Sequence, residues 1–351
     1  IERIGHQNPD LVKPALGPKE PWAYRNKMQM PVGGARGDIQ MGFYAMGSHD
    51  IVQGTNCPIQ DDGNNTIAQV CYDIAKELDV EPYDEHTGKG VLRHVIGRIG
   101  QSGWMVILVT ATEHLPHQEE WVERITNRIP QVETIVHNMN SKRTNVILGP
   151  NNNIFYGDGT ITDHIKDLRF TLSPHSFFQV NPEQTTVLYD QALAYADLKG
   201  DETVIDAYCG TGTISLFLAH KAKHVIGIEI VEPAIINARE NARNNGYDNT
   251  EFIVADAAVE MPKLYKAGVR PDVIVFDPIR AGCKEEVLTS AAGMDPKRIV
   301  YVSCNPATMA RDIEILTHFG YELQEVQPVD MFPMTAHVEA VALLTRSETT
   351  Q

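Results

Sequence analysis

The chain has 351 residues, 42% of them apolar, so it is long enough for two domains with full hydrophobic cores. The formal net charge of −16 argues against nonspecific binding of nucleic acid, because phosphate contacts need clustered Lys and Arg. No apolar run approaches the roughly 18 residues that a membrane span needs. The N-terminus also lacks the basic start and apolar core of a signal peptide. The five scattered cysteines favour a reducing compartment over a disulfide framework or zinc site. We therefore expect a cytoplasmic protein with no membrane contact, no metal and no evident protein partner.

Residues 1–172 predict a compact α+β domain with a mostly antiparallel sheet. After a proline-rich, irregular lead-in, apolar residues recur with helical spacing in Asn64–Leu78 and Gln118–Arg128. The predicted strands are Asn26–Val32, Ile39–Met46, His49–Val52, Val91–Ile99, Met105–Thr110, Glu133–Asn138 and Asn145–Leu148. Basic and polar positions in this part, such as Arg25 and Arg93, have the chemistry to contact phosphates, although a solvated surface is the commoner role for each one.

From residue 173 onward, predicted strands alternate with helices, a pattern that indicates a parallel sheet covered on both faces. Helices are predicted over Pro182–Ala196 and Glu232–Asn245. The strands are Thr203–Ala207, Val225–Ile230, Glu251–Ala255, Asp272–Phe276 and Arg298–Ser303. Two final extended runs, Glu322–Met331 and Val338–Thr345, have no helix between them and predict an antiparallel hairpin. The fold class is therefore α/β, with a Rossmann-like domain over 173–351 that resembles S-adenosylmethionine-dependent methyltransferases, preceded by the smaller α+β domain.

The first predicted strand of this second part runs into a glycine loop that includes Gly210 and Gly212. Glycines permit a tight turn and close approach of a ligand to the backbone, although an ordinary turn is the simpler explanation of a lone pair. Glu229 ends the next strand, where a carboxylate grips a ribose diol. Asp206 would repel a pyrophosphate, which favours an adenosine cofactor without phosphates, namely S-adenosylmethionine. Asp256, after the third strand, is placed to bind the adenine amino group.

Three candidate reactive groups follow the later strands. Cys304 ends the fifth strand next to a helix N-terminus, which favours the thiolate, although free cysteines are often small buried apolar groups. Asp277 follows the fourth strand and either binds substrate and cofactor or caps the following helix. Glu339 begins an otherwise apolar strand, and a charge entering a buried strand needs a reason.

A methyl donor, a thiol and a carboxylate together suggest methylation of a carbon that is not itself nucleophilic. C5 of uracil is such a carbon: a thiolate that adds at C6 makes C5 attack a methyl group, and a base must then remove the C5 proton. Methylation of an amino group would need neither the thiol nor the late base. The residues therefore predict a uracil-C5 methyltransferase.

Several motifs closely resemble those of the bacterial RNA (uracil-5-)-methyltransferases, and the 23S ribosomal RNA enzymes most of all. These motifs are Phe177–Asn181, Asp206–Gly212, Asp277–Gly282, Ser303–Pro306 and His337–Glu339. The match is dense over 173–351 and only general over 1–172, which it identifies with the family's central, RNA-contacting domain. The resemblance implies a role for each candidate in turn: Cys304 as nucleophile, Glu339 as proton-abstracting base, Gln179, Tyr208, Glu229 and Asp277 as S-adenosylmethionine contacts, and Phe178, Asp277 and Arg280 as substrate contacts.

Departures from the family pattern bear on the substrate. The family usually has a second proline where this chain has Ile279, and nothing here corresponds to the N-terminal RNA-binding β-barrel of many members. Some members hold an iron–sulfur cluster on four cysteines. In this chain only Cys57 could correspond to one of those ligands, so the chain cannot hold that cluster alone.

A uridine flipped out of its stack is expected to lie on an aromatic ring such as Phe178, although core packing is expected for at least one of Phe177 and Phe178.

The leading interpretation is methylation of a uridine in 23S rRNA. The alternatives are a tRNA T-loop uracil-5-methyltransferase and, in another class, a non-catalytic RNA-binding factor that keeps the fold. A cytosine-C5 enzyme is less favoured because that class typically uses a cysteine in a motif after the fourth strand, and Cys283, past the Asp-Pro loop, is expected to be structural.

Overall fold

The computed structural model describes residues 1–347. Its helices are α1 (Glu2–Gly5), α2 (Asp62–Glu77), α3 (Gln118–Arg128), α4 (Pro182–Ala196), α5 (Thr213–Ala219), α6 (Glu232–Asn244), α7 (Ala257–Lys266), α8 (Glu285–Met294) and α9 (Pro306–His318). The strands of the N-terminal half are β1 (Lys27–Ala35), β2 (Asp38–Tyr44), β3 (Ile51–Gln53), β4 (Leu92–Ile99), β5 (Trp104–Thr110), β6 (Val132–Met139), β7 (Asn151–Tyr156), β8 (Ile161–Ile165) and β9 (Leu168–Leu172). The later strands are β10 (Thr203–Asp206), β11 (His224–Glu229), β12 (Thr250–Val254), β13 (Val273–Phe276), β14 (Arg298–Ser303), β15 (Tyr321–Val329) and β16 (Glu339–Arg346).

One compact unit comprises Glu20–His164 and Phe170–His175. Its sheet has the order β3-β2-β1-β4-β5-β6-β7, and the neighbouring strands are antiparallel except β5 and β6. α3 connects those two, as a parallel pair requires. The apolar sides of α2 and α3 pack with the sheet into one core, which includes the fully buried Ile67 and Trp121. The predicted α+β architecture with a mostly antiparallel sheet is confirmed.

Two local predictions in this unit differ from the structure. Asn145–Leu148 was expected to be a strand, but the strand is β7, whose three asparagines are poor strand formers. The Asn138 side chain explains the shift, because its Nδ2 donates to the carbonyl oxygens of Gly149 (2.9 Å) and Asn151 (3.2 Å) and draws that segment onto β6. The short β8–β9 hairpin was not predicted.

The other unit comprises Ile1–Lys19, Ile165–Arg169 and the residues from Ser176 onward. Its sheet has the order β12-β11-β10-β13-β14-β16-β15, in which β10 to β14 are parallel and β16 is antiparallel to both of its neighbours. α7, α8 and α9 pack on one face around a core that includes Phe276 and Tyr301, and α4, α5 and α6 pack on the other. The predicted methyltransferase-like sheet with its C-terminal hairpin is confirmed.

The first 19 residues belong to this unit by their contacts. α1 packs on α9, and Val12 and Leu16 form parallel bridges with Val326 and Val329 on the outer edge of β15. The lead-in therefore covers the backbone groups of an edge strand. The functional division at residue 172 stays a prediction.

Within residues 1–347, no helix combines the length and apolarity needed to cross a bilayer. Over the same residues, no cluster of three or more His, Cys, Asp or Glu side chains has an arrangement that could bind a metal ion. The five cysteines are free: Cys71, Cys209 and Cys283 are buried, and Cys57 and Cys304 are half-buried.

Candidate active site

The candidate site lies at one edge of the parallel sheet, where β10, β11, β13 and β14 end. Because β16 runs against β14, its first residue reaches the same edge as the last residues of the parallel strands. Ser303 pairs with Ala340 in this ladder, so the two following positions, Cys304 and Glu339, are neighbours. The two candidate reactive groups are therefore brought together from residues 35 positions apart in the sequence.

The Cys304 thiol is half-buried at the start of the turn into α9. Burial raises its pKa, and the carboxyl groups of Glu339 and Asp277 raise it further, while Arg280 lowers it by less. In the resting site, desolvation and the two nearby carboxyl groups thus outweigh the helix N-terminus, which favours a thiolate. In this form residue 304 is a protonated thiol near neutral pH.

Glu339 is 4% exposed at the beginning of β16. Burial raises the pKa of its carboxyl group to about 7. Among residues 1–347, no side chain or backbone group donates a hydrogen bond to this carboxyl group. A buried acid of this kind is available for proton transfer, because its protonation changes in the physiological range.

Asp277 is half-buried just after β13. Burial raises its pKa well above the ordinary value, and the carboxyl groups of Glu339 and Asp206 add to the rise. The alternative role as a helix cap is wrong, because α8 begins much later, with Lys284 at its N-cap. Like Glu339, Asp277 has no hydrogen-bond donor within the described part of the chain.

Arg280 lies on the exposed side of the loop that follows Asp277. Its Nη2 is 3.3 Å from Nδ1 of His337, in the segment that leads to Glu339. The carbonyl oxygen of Arg280 accepts hydrogen bonds from Asn305 Nδ2 (2.9 Å) and Thr308 Oγ1 (3.2 Å) at the start of α9. Ile279, where the family usually has proline, is 79% exposed and packs on little.

The glycine loop has the shape that the sequence indicated. Gly210 and Gly212 have φ of 54° and 82°, in the left-handed region that glycine adopts without strain. Glu229 accepts a hydrogen bond from the Gly210 amide (3.3 Å) and another from the Val231 amide (2.8 Å). A Cβ added at Gly210 would meet nothing within 4 Å, so there is open space above the loop. A half-buried carboxylate beside open backbone suits the ribose of an adenosine cofactor.

Asp206 is a further candidate that the sequence suggested only as a barrier to pyrophosphate. It is fully buried, and burial raises its pKa to about 6. Ser215 Oγ donates to Oδ2 (2.6 Å), whereas Oδ1 is buried without a hydrogen-bond partner in the described chain. Since the residue is 0% exposed and the Tyr208 amide also lies near its carboxyl group, Asp206 does not itself face a ligand in this structure. The signal was an acidic residue that closes an apolar strand directly before the glycine loop.

The other predicted cofactor residues are partly engaged by the protein. Asp256 caps α7 by accepting from the Ala258 amide (2.9 Å) and forms an ion pair with Lys284 (2.8 Å). Tyr208 is half-buried, and burial together with the adjacent Cys283 thiol raises the pKa of its hydroxyl.

Residues 176–181 tie the cofactor loop to the reacting edge. Thr211 Oγ1 donates to the carbonyl oxygen of Phe177 (3.3 Å), and Asn181 Nδ2 donates to that of Met331 (3.1 Å). Gln179 is 8% exposed within this segment. Phe178, the predicted stacking residue, is buried, and Phe177 is 69% exposed. Phe177 therefore has the accessible ring in this conformation, because Phe178 packs into the domain.

A sheet of this order with a reversed last strand, a glycine loop and an acidic strand end defines an S-adenosylmethionine-dependent methyltransferase. A sequence profile described as tRNA (Uracil-5-)-methyltransferase matches residues 105–347. The chain belongs to this family and is an S-adenosylmethionine-dependent RNA methyltransferase.

Similar proteins agree with this assignment. An uncharacterised RNA methyltransferase of Halalkalibacterium halodurans is 52% identical over 346 residues, which are 98% of this chain and 76% of that protein. Another from Bacillus cereus is 51% identical over 350 residues, which cover 99% and 76%. The tRNA (uracil-54, C5)-methyltransferase of Pyrococcus abyssi, solved with S-adenosyl-L-homocysteine, matches with a TM-score of 0.80 and 27% identity, covering 98% of this chain and 80% of that one.

Proposed function

We propose that this enzyme methylates C5 of a uridine in 23S rRNA through a covalent bond between Cys304 and C6 of the base. One observation carries the proposal: a half-buried thiol and two buried or half-buried carboxyl groups meet at one sheet edge, and neither carboxyl group has a donor among the described residues. Methylation of an oxygen or nitrogen atom would need no thiol there.

The reaction uses this chain's groups in order. Cys304 gives its proton to solvent water, and its sulfur adds to C6 while the electron pair of the C5–C6 double bond moves through C4 to O4 to form an enolate. Bound S-adenosylmethionine would supply the electrophilic methyl group that C5 takes up, with S-adenosylhomocysteine as the leaving group. Glu339 then accepts the C5 proton, and the electron pair of that C–H bond restores the enolate. The enolate re-forms the C5–C6 double bond as the Cys304 thiolate leaves.

The remaining residues bind and orient. On this proposal Glu229 holds the ribose, Asp256 binds the adenine amino group through the lone pairs that its cap and ion pair leave, and Gln179, Tyr208, Gly210 and Gly212 line the cofactor. Asp277 faces both cofactor and uracil. Arg280 and an aromatic side chain of the Phe177–Phe178 pair contact the RNA, and the 1–172 domain contributes further RNA contacts.

Two RNA targets are compatible with this chemistry. The 23S rRNA assignment rests on the motifs that resemble the ribosomal enzymes. A tRNA T-loop uridine is the second candidate, favoured by the similarity to the Pyrococcus abyssi tRNA enzyme. Methylation assays on unmodified 23S rRNA and tRNA transcripts, with 5-methyluridine mapped by mass spectrometry, distinguish them. Product only on tRNA would replace the first assignment with the second.

A mechanism-based probe tests the covalent step. In RNA that contains 5-fluorouridine, C5 carries fluorine in place of the abstractable proton, so the adduct should accumulate and survive denaturing electrophoresis. We expect Cys304→Ala to lose both the adduct and all measurable methylation. Cys57→Ala is the matched control, because Cys57 is the other half-buried cysteine, and it should behave as wild type. An adduct that persists in Cys304→Ala would contradict the nucleophile assignment, and a wild type without adduct or 5-methyluridine would favour the non-catalytic RNA-binding alternative.

A further inference from the structure

A buried carboxylate lies beneath the reacting edge, on α9. Asp312 is 0% exposed. Its Oδ1 accepts from Arg311, with Nε at 2.8 Å and Nη2 at 2.6 Å, and its Oδ2 accepts from the Cys283 amide (2.7 Å) and the Tyr301 hydroxyl (2.5 Å). Burying a carboxylate costs free energy unless it is paired and hydrogen-bonded, and an apolar side chain in its place often gives a protein of equal stability. The identity of its partners therefore bears on its role.

The first partner group is the loop that begins at Asp277 and ends at Cys283. Arg311 Nη2 also donates to the carbonyl oxygens of Ala281 (3.0 Å) and Cys283 (3.3 Å). Gly282, with φ of 79°, is so close that an added Cβ would lie 2.6 Å from both Arg311 Nη2 and Asp312 Oδ2. The loop is therefore held tightly against α9 by the Arg311–Asp312 pair.

The same helix also fixes the nucleophile, because α9 begins two residues after Cys304. Its first turn holds the loop at a second point, through the hydrogen bonds to the Arg280 carbonyl oxygen described above. The turn that carries the thiol is therefore attached to α9. The Asp277 loop is attached to the same helix at Arg280 and again at Ala281 and Cys283.

The network extends toward the cofactor side. The Cys283 thiol is 3.6 Å from the Tyr301 hydroxyl and adjacent to the Tyr208 hydroxyl. Through Tyr301, Asp312 therefore connects with Tyr208, which follows Asp206 and precedes the glycine loop. One buried group joins three segments that are far apart in the sequence and that all face the same edge.

We propose that Asp312 is a positioning residue for methyl transfer: with Arg311 and Tyr301 it fixes the Asp277–Cys283 loop and Tyr208 relative to Cys304. This inference rests on the function proposed above. A displacement of about 1 Å at a reacting group can cost on the order of 100-fold in rate. Because Asp312 does not itself reach the ligand edge, its loss should alter alignment more than binding.

The test is Asp312→Asn, which keeps the side chain's size and removes its charge. Methyl transfer is measured with whichever of the 23S rRNA and tRNA transcripts the wild type methylates, and cofactor-site binding is measured by calorimetry with S-adenosylhomocysteine. We expect kcat to fall roughly 30- to 100-fold, with the RNA KM and the S-adenosylhomocysteine Kd within about threefold of wild type. Glu314→Gln is the matched control. Glu314 lies on the same helix as Asp312, but its ion pair with His6 is more exposed, so this variant should leave all three values unchanged.

Tyr301→Phe provides a second variant, since it keeps the ring in the core and removes one hydrogen bond to Asp312. We expect a smaller fall in kcat, about five- to tenfold, with the same Kd for S-adenosylhomocysteine. If Asp312→Asn does not fold, the kcat and the S-adenosylhomocysteine Kd of Tyr301→Phe test the proposal instead. The proposal is overturned if the folded variants keep kcat within threefold of wild type, or if kcat falls only in step with loss of S-adenosylhomocysteine binding. A wild type that methylates neither transcript would instead overturn the proposed function, and this inference with it.

Discussion

The two halves of the ligand edge differ in how far the protein itself satisfies their acidic groups. On the cofactor side, Glu229 and Asp256 accept hydrogen bonds from backbone amides, and the Lys284 ammonium group, followed by the Ala258 amide, holds the pKa of Asp256 below its ordinary value. On the reacting side, Glu339 and Asp277 have no donor in the described chain, and their pKa values are raised. This difference matches the proposed roles, in which the satisfied groups bind the cofactor and the unsatisfied groups take part in the chemistry.

Replacing the candidate base tests the reacting half most strongly. Glu339→Gln keeps the size of the side chain but cannot accept the C5 proton, so turnover should fall by about 10²- to 10⁴-fold. The adduct with unmodified substrate RNA should still form and then accumulate, because elimination needs that proton removed. Electrophoresis of the protein–RNA complex under denaturing conditions measures it. Near-normal turnover would show that another group is the base.

The same substitution should make the protein more stable at high pH. The pKa of Glu339 is about 7 in the folded state, above its ordinary value of 4.5, so the fold favours the protonated form. Its contribution is fully present below pH 4.5 and is lost as the pH rises through 7. Glu339→Gln should therefore exceed wild type by about 3 kcal/mol in free energy of unfolding at pH 8.5 and by much less at pH 5.

Denaturant unfolding at the two pH values provides that measurement, with Glu322→Gln as a control on the exposed side of β15. The control should show no such pH-dependent gap. An equal gain for Glu339→Gln at both pH values would mean that packing, not the charge, accounts for the effect.

The smallest effect is expected on the cofactor side. On the proposed role of Glu229, Glu229→Gln leaves one side-chain acceptor where two would hold the ribose, so the Kd for S-adenosylhomocysteine should rise by about tenfold, or about 1.4 kcal/mol. The value of kcat at saturating cofactor should stay close to wild type, because the group binds without reacting. Glu232→Gln, in the exposed first turn of α6, is the control. A fall in kcat without a change in the S-adenosylhomocysteine Kd would contradict the proposal that Glu229 binds the cofactor without taking part in the reaction.

Sequence reasoning succeeded where the local pattern determines the structure. The helices Gln118–Arg128 and Pro182–Ala196 and the strand Arg298–Ser303 have the predicted bounds, since apolar periodicity and an N-terminal proline act locally. The strand β7 was displaced in the prediction because the Asn138 side chain, distant in sequence, determines where pairing begins.

The candidate site shows the same limit. The pattern identified which residues follow each strand, and the structure places Cys304, Asp277 and Glu339 at one edge. The sequence pattern did not give the direction of the Cys304 pKa shift. The helix N-terminus can be recognised in the sequence, but the proximity of two carboxyl groups to the thiol cannot. The burial of Phe178 and the partners of Asp312 likewise depend on segments brought together only in the fold.

The reversed direction of β16 has a consequence for how substrate range can change. Glu339 pairs with Val329 of β15, and the next residue, Ala340, pairs with Ser303 of β14, while the segment from Phe332 to His337 lies outside both ladders. Insertions or exchanges in that segment would leave the Glu339 carboxyl group anchored. On the proposed function, exchanges in this segment would change which RNA fits beside the site and would leave the position of Glu339 unchanged.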